Sequence, residues 1–216
     1  MGRGSAVVVL VVGLGLGLAV PVAGQMWGFP DYALPSANGA PGTFIAGTYG
    51  RGLNDASGEL DAFGGVIGAT RPRASFLGGI GIVTGEGDNE LTVGGGVGVD
   101  LMQAESVTLS LQGGIGWTSL SLLGEDLTFL RFPNGLALKG RAETTGAAIT
   151  PWVMPRLNIA RLSGLGESET ETDFGASGGA SITFASGFGI HTALDLLAAE
   201  EAAWTLGLGA HWVFGR

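Results

Sequence analysis

The chain of 216 residues contains no cysteine. That excludes a disulfide framework, a thiolate metal site and a thiol nucleophile, and it excludes a lipid-modified N-terminal cysteine. Charge is scarce as well, at 13 % of residues, with 10 Lys and Arg against 19 Asp and Glu. A net charge of −9 cannot neutralise a run of phosphates, so no nucleic-acid partner is expected. His191 and His211 are the only histidines, which excludes a His-rich metal site. Beyond the N-terminal segment no run of about 18 apolar residues exists, so no transmembrane helix is available there.

Glycine is abundant, with 42 residues, and 45 % of the chain is hydrophobic. The glycines keep no period of three, which excludes collagen, and the hydrophobic content excludes disorder. The runs GLGLGLAV and GGGVGVD match neither the dinucleotide fingerprint nor the P-loop, and neither opens a helix. No cofactor and no metal are therefore expected. Residues 1–24 have the form of a signal peptide: Arg3, an uncharged apolar stretch from Ala6 to Val20, and small residues at Val22-Ala23-Gly24. Cleavage after Gly24 would leave Gln25 first. Residues 25–42 carry three prolines and no usable period, so they read as an irregular N-terminal tail.

From Thr43 to Phe214 the chain divides into segments of β character separated by turn residues. The spacing predicts ten strands, at 43–54, 59–71, 74–84, 89–102, 106–120, 126–139, 145–161, 172–185, 188–197 and 202–214. Eight strands are the second choice. The stretch ELTVGGGVGVDLMQ (90–103) shows the pattern: Leu91, Val93, Val97, Val99 and Leu101 on one face, and Thr92, Gly94, Gly96, Gly98 and Asp100 on the other. Connections after odd-numbered strands hold 13 of the 19 carboxylates, including Glu167, Glu169, Glu171 and Asp173 within the loop expected at 161–173. An up-and-down antiparallel barrel with two unlike ends produces such a segregation.

A soluble barrel turns its apolar face inward and needs a charged outer face, whereas a transmembrane barrel reverses the two. Here the second face is small and almost uncharged, so the fold expected is an all-β transmembrane barrel with a cramped lumen. The lumen is predicted to hold Arg51, Asp61, Asp100, Arg156, Asn158, His191, Asp195 and His211. Aromatics are expected in two outward bands. Trp117, Phe129, Phe174 and Trp204 form the band at the acidic-loop end, and Phe44, Phe76, Phe184, Phe188, Trp212 and Phe214 the one at the short-turn end. Taking the first hairpin about Ala56 pairs Arg51 with Asp61, and taking the last about Glu201 sets His191 opposite His211. Facing imidazoles cannot both be protonated cheaply, so at least one should be neutral near pH 7.

The last segment, WTLGLGAHWVFGR, places Trp204, Leu206, Leu208, Ala210, Trp212 and Phe214 on one face and stops shortly after an aromatic. It resembles the closing strand of bacterial outer-membrane β-barrel proteins of the opacity-type or OmpA-like kind. The resemblance implies outer-membrane lipid and lipopolysaccharide as surroundings, and the barrel-assembly machinery as a partner during biogenesis. In that family the terminal strand ends on Phe, whereas Gly215 and Arg216 follow Phe214 here. The functions expected are a non-enzymatic envelope-structural, surface-exposed barrel or a narrow passive pore. Two alternatives stand beside these: a lipid-modifying enzyme using His191 or His211, and an exported soluble β-barrel binding protein.

Overall fold

The computed structural model describes residues 26, 28–35, 42–85, 89–122, 125–164, 167–199 and 201–215. Ten strands form the barrel. They are β1 (Gly42–Gly52), β2 (Asp61–Arg71), β3 (Ala74–Thr84), β4 (Glu90–Gln103), β5 (Val107–Leu122), β6 (Glu125–Gly140), β7 (Ala147–Gly164), β8 (Glu167–Phe184), β9 (Phe188–Ala198) and β10 (Ala202–Phe214). Each pairs antiparallel with its sequence neighbours, and β1 pairs with β10 from Thr43↔Phe214 to Gly52↔Thr205, which closes the ring. A two-residue ladder, Ala142–Glu143 against Ala148 and Ile149, decorates the β6–β7 turn. The architecture is therefore an up-and-down antiparallel barrel without a free edge. The signal segment 1–24 lies outside the described residues, as do Glu86, Asp88 and Glu200.

Strand boundaries fall within a few residues of those predicted, with one exception. The described parts of the 161–173 stretch, 161–164 and 167–173, are strand rather than loop: the β7–β8 ladder continues outward as far as Gly164↔Glu167. Alternation of Thr and Ser with Glu suits an extended ribbon, so the strands outrun the barrel rim there. Prolines leave their mark on β6 and β7. The β5–β6 ladder skips from Gly113↔Asn134 to Gly116↔Arg131 around Pro133, and the β6–β7 ladder skips from Gly135↔Arg156 to Leu138↔Val153 around Pro155. A missing N–H removes one rung and leaves the strand in place.

The two faces are inverted relative to a soluble protein. Ile67 is 61 % exposed and Leu101 54 %, whereas Arg131 and Asn158 are fully buried. Exposed Ile, Leu, Val and Phe occur on every barrel strand, while Arg131, Lys139, Arg156, Asp100 and Asp195 are buried inside. Water would not tolerate so extensive an apolar wall, but hydrocarbon does. No helix among the described residues is long and apolar enough to cross a membrane.

Four residues sit on the face opposite to the one expected. Arg51 and Asp61 pair as predicted, 3.6 Å apart, but they share the outward face with Ile45, Tyr49 and Phe63. They lie at the acidic-loop ends of β1 and β2, where a long side chain can reach past the apolar band, and the Tyr49 hydroxyl donates to Asp61. Phe44 and Phe129 point inward, with exposures of 6 % and 4 %. Phe44 lies over bare Gly68, where a Cβ would collide with its ring. Phe129 joins Ala160 and Leu197 in an apolar interior cluster. The other aromatics predicted for the bands keep the outward alternation, from Phe76 and Trp117 to Phe174, Phe184, Phe188, Trp204, Trp212 and Phe214. Phe63 and Phe132 are also outward.

Candidate functional site

The lumen is stratified along the barrel axis. At the acidic-loop end Met26, Phe29, Val83, Phe129, Leu197 and smaller residues form an apolar cap. Two residues further along each strand the chemistry changes, from Phe129 to Arg131, Ala160 to Asn158 and Leu197 to Asp195. Beyond that charged layer an open vestibule of about 530 Å³ leads out past Glu105, Arg141 and Glu143 at the short-turn end. Thr48, Trp152, His191 and His211 line its wall.

The predicted irregular tail enters this interior. Residues 28–35 have no regular secondary structure and are mostly buried, and they run through the barrel beside its axis. Bare glycine makes the space. A Cβ on Gly64 would meet the Phe29 ring at 2.8 Å, one on Gly81 the same ring at 2.9 Å, and one on Gly207 would meet Pro30 at 2.7 Å. Barrel glycine and segment are thus complementary surfaces, which gives the small inner face its physical meaning.

Asp31 sits at the centre of the charged layer. Its Oδ2 lies 2.8 Å from Arg131 Nη2 and 2.7 Å from Arg156 Nε. Arg156 also forms a bidentate pair with Asp195, at 2.8 and 2.7 Å, and donates to Ser177. Arg131 further donates to Asn158 Oδ1 through Nε and Nη2, at 3.1 and 3.0 Å. Nearer the short-turn end Lys139 Nζ donates to the Leu34 carbonyl and to Asp100, while Gln112 accepts from the Leu34 amide. Asp100 also accepts from Ser110 and Gln103. Among the described residues the buried charges are three cations, Arg131, Lys139 and Arg156, and three carboxylates, Asp31, Asp100 and Asp195. They cancel, as charges removed from water must.

His191 and His211 meet inside the barrel, but two residues out of the expected register. The pairs are His191↔Gly209 and Gly189↔His211, so the imidazoles are diagonal neighbours and each lies over the glycine facing it. The register of the last hairpin is two residues away from the one expected about Glu201, and a two-residue shift leaves every side chain on its own face. The rings approach with Nδ1 to Nδ1 at 3.3 Å, His191 Nε2 bonds Thr48 at 3.1 Å and His211 Nε2 bonds Thr183 at 2.9 Å. An Nδ1···Nδ1 hydrogen bond needs one donor and one acceptor, so the geometry holds one imidazole unprotonated at Nδ1. This is a hydrogen-bonded chain of Thr, His, His and Thr. Tyr32 meets His191 edge-on, with ring centroids 5.1 Å apart.

Apolar residues face out, charges face in, and the ring of strands is closed. The architecture is that of a small outer-membrane β-barrel. No family model matches the chain, and no curated protein sequence matches it. Solved structures of similar shape include the N-terminal barrel domain of Pseudomonas aeruginosa OprF, with 12 % identity, 80 % of this chain and 97 % of that chain covered, and a TM-score of 0.39. The Yersinia pestis attachment invasion locus protein Ail has 13 % identity, with 82 % and 99 % covered and a TM-score of 0.39. The β domain of the Bordetella autotransporter BrkA has 12 % identity, with 80 % and 99 % covered and a TM-score of 0.49. Such likeness concerns barrel shape alone.

Of the predicted lumen residues, Asp100, Arg156, Asn158, His191, Asp195 and His211 are inside, and Arg51 and Asp61 are not. Arg131, Lys139 and Asp31 are the central residues that the sequence pattern missed. Arg131 and Lys139 share a parity with Phe129, so placing Phe129 outward concealed both. Asp31 has no periodicity to betray it. Charge could have done so: Arg131, Lys139 and Arg156 against Asp100 and Asp195 leave +1, and one further carboxylate has to come from outside the strands.

Proposed function

We propose that the protein resides in the outer membrane of a Gram-negative-type cell as a self-plugged, non-catalytic barrel with an envelope-structural, surface-exposed role, rather than as an open pore. The observation that carries this reading is the seating of residues 28–35 in the lumen, with Asp31 on Arg131 and Arg156. A buried salt bridge in this position serves to hold the segment in one place more than to add stability. Lipid and lipopolysaccharide contact the outward Ile, Leu, Val and aromatic wall, and the barrel-assembly machinery reads the terminal strand. The acidic hairpins face outside the cell, and both ends of the barrel domain, Gly42 and Phe214, face the periplasm, as an even strand count requires.

Planar-bilayer recording of the purified, folded protein tests the reading. The wild type is expected to give no discrete steps. Steps of fixed size would instead identify an open pore. Recovery of the native protein from the soluble periplasm would defeat the membrane assignment.

A further inference from the structure

We propose that the lumen is an anion path held shut by Asp31, and that withdrawal of residues 26–35 opens it to small anions. The proposal rests on the self-plugged reading above and adds what the plug conceals.

Each buried cation touches the segment differently. Lys139 bonds the Leu34 carbonyl but also has Asp100 at 3.4 Å. Arg156 touches Asp31 but keeps both carboxylate oxygens of Asp195. Arg131 has Asp31 as its ion-pair partner, and its other bonds go to the neutral amide of Asn158. Without the segment Arg131 is therefore a buried guanidinium with no carboxylate, in a lumen carrying a net charge of +1 by the count of buried groups. A fixed positive charge at a low-dielectric constriction attracts anions and repels cations.

The manner of attachment makes withdrawal feasible. Among the described residues the segment adds no rung to the barrel ladder, so its departure breaks no strand pairing. The grip consists of side chains and of packing on glycine. Leu34 and Pro35 line the vestibule, so the segment meets the open end there. Met26 and Phe29 also belong to the cap at the acidic-loop end, and their removal takes two of its large side chains away.

The test compares three proteins in planar bilayers under a KCl gradient: wild type, Asp31→Asn, and a variant lacking residues 26–35. Folding is checked first by circular dichroism and heat-modifiable migration on gels. The wild type should be silent, Asp31→Asn should open intermittently, and the deletion should conduct steadily. Both variants should show reversal potentials displaced toward the chloride equilibrium value, and Arg131→Gln in the deletion background should abolish that displacement. If the deletion fails to fold, Asp31→Asn alone decides. Folded variants that remain silent would overturn the proposal, and so would cation-selective steps. Conduction by the wild type would instead sink the self-plugged reading, so the two failures are distinguishable.

Discussion

At the residue scale, glycine and charge divide the work. Inward glycine is required where the segment passes, while outward glycine is not. A Cβ on Gly64 has the Phe29 ring at 2.8 Å and the Ile80 carbonyl at 3.0 Å, whereas one on Gly65 has nothing nearer than the Ala46 carbonyl at 3.7 Å. Gly64→Val should therefore lower stability by about 1–3 kcal/mol, as overpacking does, and Gly65→Val by much less. Urea titration in detergent or bilayers, followed by tryptophan fluorescence, measures both; equal effects would remove the argument that the small inner face is shaped to the segment. Arg156 tests the charge. It holds Asp31 and Asp195 together, so Arg156→Met leaves the buried Asp195 without its guanidinium and Asp31 with Arg131 alone. The expected cost is about 3–5 kcal/mol in the same titration, typical of removing one partner from a buried pair.

Elements obey the same economy of hydrogen bonds. The missing rungs between β6 and β7, at Leu136 with Pro155 and Ala137 with Met154, are those that would use the N–H of residue 155 with the Leu136 carbonyl. Pro155 faces outward and is exposed, so Val fits at that position without entering the lumen. Pro155→Val should complete the rung and raise the unfolding free energy by about 0.5–1.5 kcal/mol. Slower amide exchange at residue 155 than at a solvent-exposed turn would confirm the new bond. An unchanged or lower stability would mean that proline is preferred there for another reason. The β7–β8 hairpin is the opposite case, a ribbon with strands but few neighbours. The β8–β9 pairing ends at Phe174↔Ala198, so residues 167–173 of β8 have β7 alone as a partner. A two-stranded ribbon of that kind is only marginally stable.

For the whole molecule, unlike ends imply a single orientation. If the acidic hairpins are extracellular, protease added to intact cells should cut within 161–173, where a two-stranded ribbon is only marginally stable, and should leave 71–73 and 185–187 intact. Mass spectrometry of the released peptides reads the result, and cleavage at the short turns would invert the topology. The interior agrees with this asymmetry, since the cap lies toward the acidic end and the vestibule toward the other. A closed barrel leaves no edge for augmentation by other chains, so contacts with partners have to be made by hairpins, by lipid-facing surface or through the lumen.

Strand number, strand order and the inside-out distribution were legible in the sequence, because period-two alternation and turn residues are local signals and a closed barrel repeats them ten times. The first-hairpin register was legible for the same reason, as Arg51↔Asp61 shows. Faces were misassigned where both parities of a strand carry an aromatic, as with Phe44 and Tyr49 in β1 or Phe129 and Phe132 in β6, since alternation alone then has no sign. Only the tertiary structure could bring Asp31 to Arg131, 100 positions away. No period links a segment without regular structure to the wall it fills; their meeting is decided by the shape of the glycine-lined lumen and by the need of buried charges to cancel.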